Sequence, residues 1–160
     1  MSRFWTGCLA AAALSGAAAG PLAAQDLATA RRGLEEGYLR FSYATAAGVH
    51  GDAHHLHFHD RHDADPSWTS DCRGGPARVQ LELRGGAVAG LDLWVGGRWR
   101  DRDAVVVDVG TVGAAEAADF LLDLVADARG EVAEDAVLAA CIADSVEVWP
   151  RLLALARDPS

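Results

Sequence analysis

The chain has 160 residues, of which 23 are acidic and 14 basic, for a formal net charge of −9; 51% are hydrophobic and the sequence pI is about 4.9. That balance argues against a nucleic-acid partner, whose phosphates demand clustered cations. The length supports one real core, or two small ones, but not several domains.

Residues 1–24 read as a secretory signal peptide. Arg3 supplies the positive start, Phe4 to Ala19 form an Ala/Leu-rich apolar stretch, Pro21 breaks it, and small residues precede Gln25. Gly16, Gly20 and Pro21 interrupt the stretch too often for a membrane span of roughly 20 strongly apolar residues. A periplasmic or secreted protein is therefore expected, with no membrane contact after cleavage. Two cysteines remain, Cys72 and Cys141, in a compartment where disulfides persist. They can pair with each other, or Cys141 can be a buried thiol in a helical apolar pattern.

The mature chain changes character near Gly110, which divides it into a β-rich region at 25–110 and a helical segment at 111–160. DLATARRGLEE is short and polar, a helical turn or a loose stretch. GYLRFSYATA (37–46) alternates Leu39, Phe41 and Tyr43 against Arg40, Ser42 and Ala44, as a half-buried strand does. PARVQLELR (76–84) alternates Val79, Leu81 and Leu83 against polar residues, and Gly85-Gly86 provides the positive φ angles of a two-residue hairpin. In the return strand, 87–97, the core face is Leu91, Leu93 and Val95; a one-residue slip would exchange it for Trp94, Asp92 and Gly90. AVVVDVG follows the charged tip RWRDRD (98–103) as one more strand. An antiparallel sheet of four or five strands is predicted.

HGDAHHLHFHDRHDAD, from His50 to Asp65, holds all six histidines and four aspartates. As a strand it would put His55, His57 and His59 on one face, with alternate residues about 6.5 to 7 Å apart. Two imidazoles so placed can converge on zinc or another transition metal, with His50, His62, Asp60 or Cys72 completing the shell. No His-Glu-x-x-His or paired Cys-x-x-Cys accompanies them, so a solvated Asp/His-rich surface that protects a sheet edge stands beside the metal reading. Apart from such a metal, no cofactor is expected. Trp68, Trp94 and Trp99 are candidates for an aromatic interaction surface, although aromatic residues often merely close the ends of a small sheet. No Gly-x-Ser-x-Gly motif or phosphate loop is present, and no catalytic residue is assigned.

Three helices are predicted after Thr111. GAAEAADFLLDLVADARG places Ala117, Phe120, Leu121, Leu124, Val125 and Ala128 on one stripe and Glu116 in the first turn. EVAEDAVLAACIAD begins with Glu131, Glu134 and Asp135 and aligns Val137, Leu138, Cys141 and Ile142. EVWPRLLALARDPS sets Pro150 in its first turn and Trp149, Leu152, Leu153 and Ala156 on one face. Short connections imply antiparallel packing.

AEDAVLAACIADSVEVWPRLLALARDPS resembles HEAT-type helical repeats: an Ala/Leu inner face, a Val and Pro opening the next helix, and a Leu-Leu-x-Leu-x-Arg-Asp close. The resemblance implies stacked helix pairs that present a protein-binding surface, and identifies the chain as the N-terminal portion of a secreted bacterial HEAT-repeat protein. Repeats of this kind need about three units to bury their apolar faces, so a continuation beyond Ser160 is expected. The sequence thus predicts an α+β, exported, non-catalytic scaffold with a protein partner. The alternative is a periplasmic metal-binding module using His50, His55, His57, His59 and His62.

Overall fold

The computed structural model describes residues 26–51, 56–58 and 74–157, with the backbone alone at 56–58. The signal-peptide expectation at 1–24 lies outside the described residues, as do His55, His59, His62, Trp68 and Cys72. Among the described residues no helix is long and apolar enough to cross a membrane.

The chain enters through a six-residue helix, α1 (Leu27–Arg32), whose N-cap Asp26 accepts hydrogen bonds from the Thr29 amide at 2.7 Å and the Thr29 hydroxyl at 2.9 Å. These bonds hold the Asp26 carboxyl below its ordinary value, since they favour the charged form. Strand β1 (Gly37–Tyr43) follows, then a small antiparallel pair, β2 (Val49–Gly51) and β3 (Leu56–Phe58). β4 (Ala77–Arg84) and β5 (Ala87–Val95) form the predicted hairpin. Gly85 and Gly86 have φ of 58° and 74°, which glycine adopts without the steric cost borne by other residues. β6 (Val106–Thr111) completes a four-stranded sheet in the order β5-β4-β1-β6.

The fold is α+β, as the change of periodicity indicates, but the main sheet is mixed rather than antiparallel. β6 runs parallel to β1, with a bulge that sets Asp108 against Arg40 and Gly110 against Phe41. The reason is the route of the chain. β5 and β6 lie at opposite edges and point the same way, so residues 96–105 must travel the length of the sheet before β6 begins. Strand periodicity contains no information about such a crossover.

Helices α2 (Ala114–Asp127), α3 (Glu131–Cys141) and α4 (Trp149–Arg157) come last. One buried cluster joins α1, the sheet, α2 and α3, including Leu27, Leu39, Phe41, Leu81, Leu121 and Ala139. Phe41 and Phe120 meet edge to face, ring centres 5.7 Å apart. The end of β1 is fastened to the end of α3: Asp144 N donates to Ala44 O and Ala46 N to Ile142 O, both at 2.9 Å, across the Thr45–Ala143 bridge.

The helical-repeat expectation is overturned. The three C-terminal helices do not form a stack of pairs presenting a concave face; α2 and α3 close one side of a β-sheet, and their apolar residues are absorbed into its core. The packed side of α3 matches the predicted stripe only in part: Ile142, at its C-cap, is fully buried, but the helix itself packs through other residues. Its buried residues are Ala136, Ala139 and Ala140, while Leu138 is 37% exposed and Cys141 is exposed with a free thiol. Small residues let α3 approach its neighbours closely, and an aliphatic-weighted reading of periodicity misses an alanine contact. α4 buries no residue fully. Leu152 and Leu155 rest against the core, whereas Trp149 is 64% exposed.

Candidate functional site

Strand alternation gives the sheet two unlike faces. Leu39, Phe41 and Tyr43 in β1, Val79, Leu81 and Leu83 in β4, and Leu91, Leu93 and Val95 in β5 point to the helices, as the sequence pattern requires. The other face carries Tyr38, Arg40 and Ser42; Arg78, Gln80 and Glu82; and Asp92 and Trp94. The 96–105 crossover lies on this second face and contributes Trp99, Arg100 and Arg102.

The sequence candidates Trp94 and Trp99 come together there. Their rings meet edge to face at 5.4 Å, with planes at 83°. Trp94 is only 6% exposed. The guanidinium carbons of Arg40 and Arg78 lie 5.1 and 5.0 Å from the centre of the Trp99 ring, and that of Arg100 lies 5.6 Å from Trp94. Each such contact contributes about 0.5–1 kcal/mol when exposed and more when desolvated. Trp68, the third tryptophan of the predicted surface, lies outside the described residues.

The arginines divide into two kinds. Arg40 binds Asp108 through Nε and Nη2, both at 2.9 Å. Arg102 binds Asp92 at 2.5 Å and lies 5.0 Å from the Tyr38 ring centre. With the Gln80 amide assigned oxygen-first toward Arg102, Nε and Nη2 donate to it at 2.9 and 3.2 Å, which accounts for a glutamine only 1% exposed. Arg78 and Arg100, in contrast, form no ion pair with a carboxylate among the described residues. Arg78 Nε donates to Gly96 O at 3.2 Å, leaving its terminal nitrogens for other acceptors. Among the described residues, this second face therefore holds two cations paired with carboxylates and two, Arg78 and Arg100, that are not, around an indole pair.

A pocket of about 340 Å³ adjoins this face at the β5 edge, where Gln80, Asp92 and Arg102 meet Glu131 and Asp135 at the start of α3. Partial burial, assisted by Glu131, Glu134 and Asp92, raises the Asp135 carboxyl above its ordinary value.

The histidine tract is less fully placed. His50 is half-buried beside Gly74, and the β2–β3 register sets residue 57 opposite it. Among the described residues no group of three or more His, Cys, Asp or Glu is positioned to hold a metal ion.

Sequence reading selected the tryptophans and missed Arg40, Arg78, Arg100 and Arg102. A signal was available: Arg40, Arg78 and Trp94 all occupy the polar positions of their strands, hence one face. That the RWRDRD tip would fold back over the same face depends on the crossover.

Comparison with protein-family models, with curated proteins and with solved structures yields no match, the helical-repeat families included.

Proposed function

We propose that the protein is an exported, non-catalytic binding module, and that the open sheet face around Trp94, Trp99, Arg78 and Arg100 is the surface that meets its partner. Export rests on the leader pattern of residues 1–24. The observation that carries the binding reading is the placement of Arg78 and Arg100. In a chain of net charge −9, two guanidinium groups without an ion-paired carboxylate among the described residues are seated on adjoining indoles. A guanidinium held over an aromatic ring is already restricted before a ligand arrives, so less freedom is lost on binding. Aromatic and arginine side chains clustered in this way are also the residue types that dominate binding energy at interfaces.

The test uses the mature protein on arrays of defined peptides and glycans, beside the variants Trp99→Ala and Arg78→Gln/Arg100→Gln. Both variants are first checked for native circular dichroism. Capture that disappears in both variants supports the reading. Capture that persists in them, or no face-dependent capture anywhere on the arrays, overturns it.

A second reading, transition-metal binding, is favoured by one observation: His50 and residue 57, itself a histidine, stand opposite one another in the β2–β3 ladder. Titration with zinc, copper and nickel, followed by calorimetry and melting temperature, tests it. Absence of stabilisation at roughly tens of micromolar metal dismisses this reading, because a ligand of the native state must raise its stability.

A further inference from the structure

We infer that the partner recognised on the open sheet face is an acidic peptide segment, held through its carboxylates by Arg78 and Arg100 across the Trp94–Trp99 pair. The inference deepens the binding reading above and rests on it.

Arg40 and Arg102 already face Asp108 and Asp92, which identifies the acceptor chemistry this face uses: a carboxylate on an aromatic-backed guanidinium. Arg78 and Arg100 repeat the aromatic half of that arrangement and, among the described residues, have no carboxylate partner. Their guanidinium carbons lie 5.0 and 5.6 Å from the centres of two rings that are themselves 5.4 Å apart. In an extended peptide the side chains of residues i and i+2 lie on one side of the backbone, so an acidic segment can turn two carboxylates to one face. Charge-assisted bonds from a preorganised guanidinium edge to a carboxylate are roughly twice as strong as neutral ones.

The same geometry disfavours two other anionic partners. A uronate sugar or a nucleobase docks by laying its ring on an open aromatic face. Here Trp94 is 6% exposed, and guanidinium groups lie over both indoles. A long polyanion would also have to approach a protein of net charge −9, whereas a short acidic segment interacts chiefly with the local cations.

The experiment follows indole fluorescence of the full mature chain during titration with an oligoglutamate peptide, its oligoglutamine counterpart and polygalacturonate. A saturable response to oligoglutamate that weakens with added salt is expected. Binding should fall by about tenfold in Arg78→Gln and in Arg100→Gln, the loss typical of removing one charge-assisted contact. Arg157→Gln on α4 should leave it unchanged, and Arg78→Lys, which keeps the charge but not the plane, should retain part of it. Each variant is compared with the wild type by circular dichroism, so that a folding defect is not read as lost contact.

An equal response to oligoglutamine, an equal loss in Arg157→Gln, or no response to oligoglutamate overturns the inference. If polygalacturonate or an array ligand nevertheless binds in a manner dependent on Trp99, the acidic-peptide assignment falls and the binding face stands. If nothing binds in that manner, both fall.

Discussion

The Tyr43 hydroxyl donates a 2.5 Å hydrogen bond to the carbonyl oxygen of Ala139, joining β1 to α3 across 96 positions of sequence. It lies beside the backbone bonds from Asp144 to Ala44 and from Ala46 to Ile142, so the end of a central strand and the end of a helix are fastened together at several points. Tyr43→Phe removes the donor and leaves a buried carbonyl short of a partner. The expected loss is about 1–2 kcal/mol in urea denaturation, with no change in the denaturant slope.

The same residue predicts a pH dependence. Burial raises the Tyr43 phenol above the ordinary 10.0, and the folded state therefore holds its proton longer than the unfolded chain does. The stability from this group is complete below pH 10 and declines progressively as the pH rises beyond it. Alkaline denaturation of the wild type should begin earlier than that of Tyr43→Phe relative to each protein's stability at neutral pH. Parallel curves for the two would contradict the burial argument.

Gly37 begins β1 with φ of 126°, and a Cβ there would stand 2.5 Å from the carbonyl oxygen of Val105. That carbonyl accepts the Tyr38 amide at 2.8 Å and precedes β6. Gly37→Ala should destabilise by about 1–3 kcal/mol, the usual cost of a strained backbone position. Amide exchange should show the β1–β6 pairing opening more readily than β1–β4.

The alanine stripe of α3 gives opposite expectations for two adjacent residues. Ala139 is fully buried and Leu138 is 37% exposed. Ala139→Leu overpacks the contact and should cost about 1–3 kcal/mol. Leu138→Ala should change stability by less than about 1 kcal/mol, because its side chain leaves little water-excluded volume behind. Equal melting temperatures for the two variants would place the packed face elsewhere.

Besides the apolar packing of Leu152 and Leu155, Arg151 ties α4 to α2 through two carboxylates. Arg151 Nη1 lies 2.9 Å from Asp119 Oδ1, and Nη2 lies 2.6 Å from Asp123 Oδ1. Both pairs are solvent-exposed, so Arg151→Ala should alter global stability by less than about 1 kcal/mol. Its effect should appear locally, as faster hydrogen exchange confined to residues 152–157. A uniform rise in exchange throughout the protein would show that α4 belongs to the cooperative core.

Alternation at Leu39, Phe41 and Tyr43, and again at Val79, Leu81 and Leu83, was sufficient to find two strands and their buried faces. Gly85-Gly86 located the hairpin, and Leu121 and Leu124 the apolar side of α2. These signals are local, because pleat, turn and helix each impose a short repeat on the chain. The helical-repeat likeness failed for the same reason: amphipathic spacing records that a helix buries one face, but not whether a helix or a sheet covers it. At the candidate site, Trp94 and Trp99 were legible as aromatic candidates, yet their meeting was not, since it requires β5 and the crossover after it to return over one face.

By its own periodicities the sequence determined the α+β class, most strand and helix positions and the inward side of the sheet. Tertiary structure alone decided the parallel placement of β6 beside β1, the alanine contact of α3, and the convergence of Arg40, Arg78, Arg100 and Arg102 on the two indoles. Those features depend on pairings between distant segments, where the burial of the whole sheet and the path of the 96–105 crossover, rather than any local repeat, set which residues become neighbours.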